Sequence, residues 1–320
     1  MEAMLWGGPV VWGDHSGGPG RGRIGVGSGS VRHRLVVIPD AGAGRAGGIL
    51  RVEPEEVNVS QQQVVTAESR DVVEHCQPRQ LSRWGIVGVW AAAAGPMAVL
   101  SWLVAPVLAA GLTGPAAWPQ ALLLCLTAGL VWQGVLVLVL VRRELGSLRW
   151  SAVQDALWLH RPRGPRTGRV GGRVWWVLLP AILVVGVEQL LPSLPTPASR
   201  DMGAFLRGSA GQDFLSGNWP WFGLIVVMAV FNTVLGEELL FRGYLLPRMR
   251  GVFGRSDWLA NGVLFALYHL HQPWTMPKAL LDSLALAYPT RRYTSAWLGI
   301  IVHSVQSLII VGASLALVLR

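Results

Sequence analysis

Hydrophobic and polar positions divide this chain sharply near residue 80. Before that point glycine and polar residues dominate. After it, apolar blocks recur to the C-terminal end. The block 85–112 holds no charged residue and is long enough to cross a bilayer, with Pro96 and Pro106 as expected kinks. A second block, 121–141, ends at Arg142–Arg143, and a third, 174–191, carries Glu188 near its end. The fourth, 219–236, runs directly into Glu237. Shorter blocks at 258–270 and 279–288 are the fifth and sixth candidates, and 296–319 is a clear seventh. The pattern predicts an all-α, multi-pass transmembrane helical bundle of about seven spans over residues 81–320.

Residues 1–80 read differently. The run from Gly7 to Ser30 is glycine-rich without a helical or strand period, and the run from Glu53 to Gln80 is polar. Such a chain buries too little apolar surface to offset its ordering entropy, so a disordered tail is expected. No continuous apolar core follows the first residues, as a signal peptide would require.

Composition supports the membrane reading. Of 320 residues, 52% are hydrophobic and only 14% charged, against about a quarter charged in soluble domains. Mean hydropathy is +0.43. Nearly all the cations behind the net charge of +9 are arginines, Lys278 being the single lysine, and many lie in short loops between apolar blocks. That distribution follows the positive-inside rule and argues against a nucleic-acid partner. Eight arginines lie in 142–173 and none in 112–120, which assigns 142–173 to the cytoplasm. Alternating spans then bring Arg248, Arg250, Arg255, Arg291 and Arg292 to the same side. The two cysteines, Cys76 and Cys125, form no CxxC and no disulfide framework.

Ionisable groups inside apolar segments are costly, so each one poses a functional question. The first cluster is Gly236-Glu237-Glu238-Leu-Leu-Phe-Arg242. Glu238 and Arg242 are four apart, share a helix face and suit a charge-assisted pair. Glu237 lies about 100° round the helix, without a partner at i±4. A paired carboxylate beside an unpaired one is a common way to separate acid and base roles. The second cluster is Phe265-Ala-Leu-Tyr-His269, in which Phe265 and His269 share a face, while His271 should point away by about 200°. The third is His303-Ser-Val-Gln306-Ser307 in the last span. A lone histidine in such a helix is more often a helix–helix hydrogen-bond partner. Asp282 alone reads as a packing or cavity residue. Three helices each bringing one unusual polar group, 32 residues apart (237 to 269) and then 34 (269 to 303), are harder to explain as packing.

These three clusters, in this order, resemble the CPBP family of CAAX-prenyl endopeptidases and bacteriocin-processing intramembrane proteases, also described as Abi or self-immunity proteins. The likeness covers about 219–312, with Tyr288–His303 similar to the helix–turn–helix that leads to the family's last histidine. It implies that Glu237 and His269 activate a water and that His303 helps stabilise the oxyanion. Glu238, Arg242, Phe265, Gln306 and Ser307 are the supporting residues. The family's last motif usually ends in asparagine where this chain has Ser307, and Gln306 is the expected compensating amide.

For cofactors, two options stay open: none, or a divalent metal such as zinc held by Glu237, His269 and His303. HExxH is absent, and the only rhomboid-like serine candidate, Ser209, sits in a polar loop. The expectation is therefore an intramembrane endopeptidase in the cell membrane, its site opening to the cytoplasm. Its partners are a peptide or membrane-protein substrate and the lipid bilayer. The alternative is a non-proteolytic membrane scaffold or immunity protein of the same fold. A transporter with Glu237 and Asp282 as proton sites would show inverted repeats, and no halves match.

Overall fold

A computed structural model describes residues 33–38, 49–54, 78–188, 190 and 194–320. The chain divides into two units, Met1–His75 and Cys76–Arg320. In the first, β1 (His33–Ile38) pairs antiparallel with β2 (Ile49–Pro54), His33 opposite Pro54 and Ile38 opposite Ile49. These twelve residues fall within the stretch expected to be a structureless tail. HRLVVI and ILRVEP lie between the glycine-rich and polar runs and carry the branched residues that favour strands. The rest of the expected tail up to residue 77 lies outside the described residues.

The second unit is helical. Ser82 caps α1 (Arg83–Ala110), its hydroxyl accepting the Gly85 N–H at 3.1 Å. α1 stays regular through Pro96 but widens by one residue per turn over Leu100–Val104, just before Pro106. α2 (Ala117–Leu145) ends on Gly146, whose φ of 68° closes the helix by bonding the Arg142 carbonyl. Arg142 and Arg143 occupy its last turn, where cations complement the helix dipole. After a connector over residues 146–177 come α3 (Leu178–Glu188), α4 (Trp219–Arg248), α5 (Asp257–Tyr268), α6 (Met276–Tyr293) and α7 (Ala296–Val318).

Among the described residues, α1, α2, α4 and α7 are long and apolar enough to cross a membrane. The other three expected spans fall short for separate reasons. α3 has 11 residues and α5 has 12, or about 17–18 Å at 1.5 Å per residue, against a core of about 30 Å. α6 has 18 residues but carries Lys278, Asp282, Arg291 and Arg292.

Large apolar side chains such as Leu103, Val107, Leu138, Leu308 and Ile309 lie exposed on the four spans. Lipid, not water, is the solvent that makes this surface stable. The interior is packed by Met97, Leu130, Val137, Leu240, Phe241 and Phe265, with polar bonds joining the helices.

One end of the bundle is tied by arginine. Arg248, fully buried at the end of α4, bonds Glu144 at 2.8 Å, the Ala156 carbonyl at 3.0 Å and the Tyr244 carbonyl at 2.8 Å. Arg291 meets Asp257 at 2.5 Å. The connector also docks on the α6–α7 turn, where Ser295 bonds the His160 carbonyl and the Ala296 N–H bonds the Trp158 carbonyl. Arg248 therefore shares an end of the bundle with the connector, as its charge predicts.

Candidate active site

The distortions of α4 set the site. The helix is regular to Val230, widens over Phe231–Leu235, and widens again over Leu239–Leu245. Wide turns of this kind recur at functional sites. Gly236 stands between them with φ −100° and ψ −87°. A side chain there would meet the Phe231 carbonyl oxygen at 2.6 Å and the Leu130 carbonyl oxygen of α2 at 2.9 Å. Glycine thus lets α4 press against α2 while the following Glu237 and Glu238 turn inward.

Both carboxylates are buried, at 4% and 0% exposure. Glu238 Oε1 takes the Arg242 Nη1 at 3.1 Å, the expected pair, and also the His303 Nδ1 at 3.0 Å from α7. Arg242 Nη2 donates to Ser283 of α6 at 3.1 Å, and its guanidinium carbon lies 4.1 Å from the centre of the Phe265 ring. One carboxylate therefore fixes a histidine from α7 and an arginine that anchors α5 and α6. Gly299 of α7 makes room for this pair, since a side chain there would run into the Glu238 carboxylate.

Glu237 has a partner that helical spacing did not indicate. The buried Tyr268 phenol lies against its carboxylate and accepts a hydrogen bond from the Gln133 Nε2 of α2 at 2.6 Å. Being next to His269 in sequence, Tyr268 was read only as part of its motif. The Gln133–Tyr268 contact spans 135 residues, so spacing carries no trace of it.

Phe265 stands between the two histidines, its ring 5.0 Å from that of His269 and 6.4 Å from that of His303. His269 Nδ1 donates to the Phe265 carbonyl at 2.9 Å, which leaves Nε2 as the acceptor nitrogen. His303 Nε2, opposite its Glu238 bond, faces the Asn232 amide nitrogen at 3.4 Å. Asn232 is half-buried on the first wide turn of α4, and no sequence motif marked it.

Two expectations change. His271 does not point away: its ring stacks on His269 at 5.4 Å with 24° between planes. The reason is that α5 ends at Tyr268 and tightens into a 3₁₀ turn over His269–His271, so about 100° per residue no longer applies. The Gln306 amide, expected to serve beside His303, donates to Asp282 at 2.9 Å. Ser307 is buried one turn beyond His303 on α7.

A metal fits poorly. Among the described residues no three His, Cys, Asp or Glu side chains converge as a metal-holding group. Glu237, His269 and His303 each turn a polar atom toward a protein partner: Tyr268, the Phe265 carbonyl and Glu238 respectively.

Residues 218–309 match the family model described as type II CAAX prenyl endopeptidase Rce1-like. The matched stretch holds all three motif clusters and the whole polar network except Gln133. In this stretch the chain is similar to that family of CAAX-type intramembrane proteases. No curated protein and no solved structure matches the chain. The Rce1-like region thus begins one residue before α4 and ends inside α7.

Proposed function

We propose that this protein is an intramembrane endopeptidase that hydrolyses a peptide bond with a water activated by Glu237 and His269. The observation that carries this reading is the division of labour between adjacent carboxylates. Glu238 is consumed by Arg242 and His303, whereas Glu237 faces the phenol of Tyr268 and has no ion-pair partner within 4 Å among the described residues. A carboxylate positioned by one phenol keeps the lone pairs that a general base needs.

In the proposed cycle, water lies between Glu237 and His269 Nε2. Its oxygen attacks the peptide carbonyl carbon while Glu237 takes a proton. The carbonyl oxygen becomes an oxyanion beside His303 Nε2 and the Asn232 amide. Glu238 stabilises an imidazolium at His303, much as a buried carboxylate does in a serine-protease triad. With Nε2 protonated, Nε2–H and the Asn232 N–H are two donors 3.4 Å apart, and an oxyanion between them would accept both. Collapse of the intermediate returns the proton from Glu237 to the leaving nitrogen. Asn232 thereby supplies, from another helix, the amide absent at Ser307. No step passes through a metal.

The substrate follows from the family's description: a C-terminal segment carrying a prenyl group, presented from the bilayer. The arginine-rich end of the bundle is the cytoplasmic one, and α3, α5 and α6 complete the bundle beside four full spans. Purified protein in liposomes, given a farnesylated CAAX peptide and its unprenylated twin, tests the substrate class. Release of the terminal tripeptide from the prenylated peptide alone, read by mass spectrometry, is the expected result. Cleavage of both at equal rates would remove the prenyl requirement.

Ser307 favours a second reading, a scaffold of the same fold that has lost its chemistry. A wild-type protein that binds the prenylated peptide without cleaving it, and gains cleavage on Ser307→Asn, would establish that reading instead.

A further inference from the structure

A cavity of about 170 Å³ lies away from the polar network, where α1 turns into α2. It is lined by Trp118 and Leu122 of α2 and by Arg200, Asp201, Met202 and Phe205 of the segment before α4. A second cavity of about 60 Å³ shares Met202 and Phe205 with it and continues between Leu123, Phe214, Ile225 and Ile310. The first has charged and indole groups in its wall. The second is apolar apart from Ser314.

The charged end is built. The Arg200 guanidinium lies 3.7 Å from the centre of the Trp102 ring and 4.9 Å from that of Trp118. Its Nη1 donates to Ser101 Oγ at 3.1 Å and its Nη2 to the Ser101 carbonyl at 3.2 Å. These bonds use two of the five N–H groups a guanidinium carries. The Trp118 indole N–H is buried and makes no hydrogen bond among the described residues. Asp201 Oδ1 accepts the Ala204 N–H at 2.7 Å, and its carboxylate places a negative charge beside the arginine. The wall therefore offers donors and a cation for an anion, and an anion for a cation, side by side.

Depth fits an amphiphile. α2 has 29 residues, about 43 Å at 1.5 Å per residue, so its first turn reaches the headgroup region of a bilayer about 40–45 Å thick overall. Trp118 and Trp102 stand at that level, where tryptophans concentrate. Leu123 lies five residues further along α2, about 7–8 Å deeper and within hydrocarbon. At about 170 Å³ the outer cavity far exceeds the ~10–15 Å³ that one water needs, so it has room for a polyatomic group.

We infer that these neighbouring cavities hold one zwitterionic glycerophospholipid, its phosphate on Arg200 and the Trp118 N–H, its amine on Asp201, and one acyl chain entering past Met202 and Phe205, the side chains that line both. A lipid seated there would link the α1–α2 turn to α4 and α7, independently of whether the Glu237 site is catalytic. Free phosphate would use the first cavity and leave the second empty. An anionic phospholipid would place its charge against Asp201.

Native mass spectrometry of the full chain released from micelles tests this, with phosphatidylethanolamine, phosphatidylglycerol or inorganic phosphate added. One retained phosphatidylethanolamine per chain is expected, with at least fivefold lower occupancy by phosphatidylglycerol and no displacement by phosphate. Arg200→Gln should lower the occupancy at least fivefold. Because Arg200 also braces Ser101, Met202→Trp serves as a second variant; it adds bulk at a side chain that lines both cavities and leaves the arginine bonds intact. It should likewise lower occupancy at least fivefold while the protein stays folded. Wild-type occupancy in the folded Met202→Trp protein, equal retention of both lipids, or displacement by inorganic phosphate would overturn the inference.

Discussion

Glu238 and His303, 65 residues apart in sequence, meet at 3.0 Å between Oε1 and Nδ1, and the same oxygen also holds Arg242. The carboxylate expected to serve only an arginine is thus also the one that orients the last histidine. Glu238→Gln should therefore do two things. It leaves a buried guanidinium without its counter-charge, a change that costs about 3–5 kcal/mol. It also removes the anion that favours a charged His303, so turnover should fall in the folded fraction. Melting in detergent together with turnover corrected for folded protein checks both, and wild-type turnover in the folded fraction would detach Glu238 from His303.

Tyr268 links Gln133 of α2 to Glu237 of α4. Tyr268→Phe removes one hydroxyl and leaves the Gln133 amide buried without its partner, at a cost of about 1–3 kcal/mol. Turnover should drop roughly tenfold as Glu237 loses its positioning bond, with KM little changed. Adding Gln133→Leu should recover much of the stability and none of the turnover. Recovery of both together would mean that the phenol serves packing alone.

The stacked pair His269 and His271 separates by role. His269→Ala should abolish activity, since the proposed cycle places the attacking water on its Nε2. His271→Ala should reduce activity severalfold, because it removes the ring that braces His269. Equal and complete loss in both variants, each folded, would give His271 a direct part.

Asn232 is the amide nearest His303 Nε2, at 3.4 Å. Losing one oxyanion donor typically costs about 2.7–4 kcal/mol, or roughly 10²–10³ in rate. Asn232→Ala should therefore lower kcat by about that factor with little change in KM. Gln306→Ala should act mildly, since that amide is engaged by Asp282. A large effect from Gln306 and none from Asn232 would reverse the assignment.

How far the sequence could be read depended on how far each contact reaches along the chain. The Glu238–Arg242 pair and the Phe265–His269 face are four-residue relationships on helices, and both stand as expected. Gln133–Tyr268, Asn232–His303 and Glu238–His303 join residues 65 or more apart, so no periodicity announces them. His271 misled because the backbone changes its turn angle at the residue that mattered. The short fifth span misled because an apolar run of 13 residues cannot be told from a buried half-length helix by composition. The strand pair near the N-terminal end was hidden between two polar runs.

The most direct test of the central claim compares wild type with Glu237→Gln in the same liposomes, using the prenylated peptide. Glutamine keeps the size of the side chain and can still meet the Tyr268 phenol, but it cannot take a proton from water. The account predicts cleavage by wild type and a rate at least about a hundredfold lower in the variant, with melting temperature preserved. A Glu237→Gln protein that cleaves at the wild-type rate would contradict it.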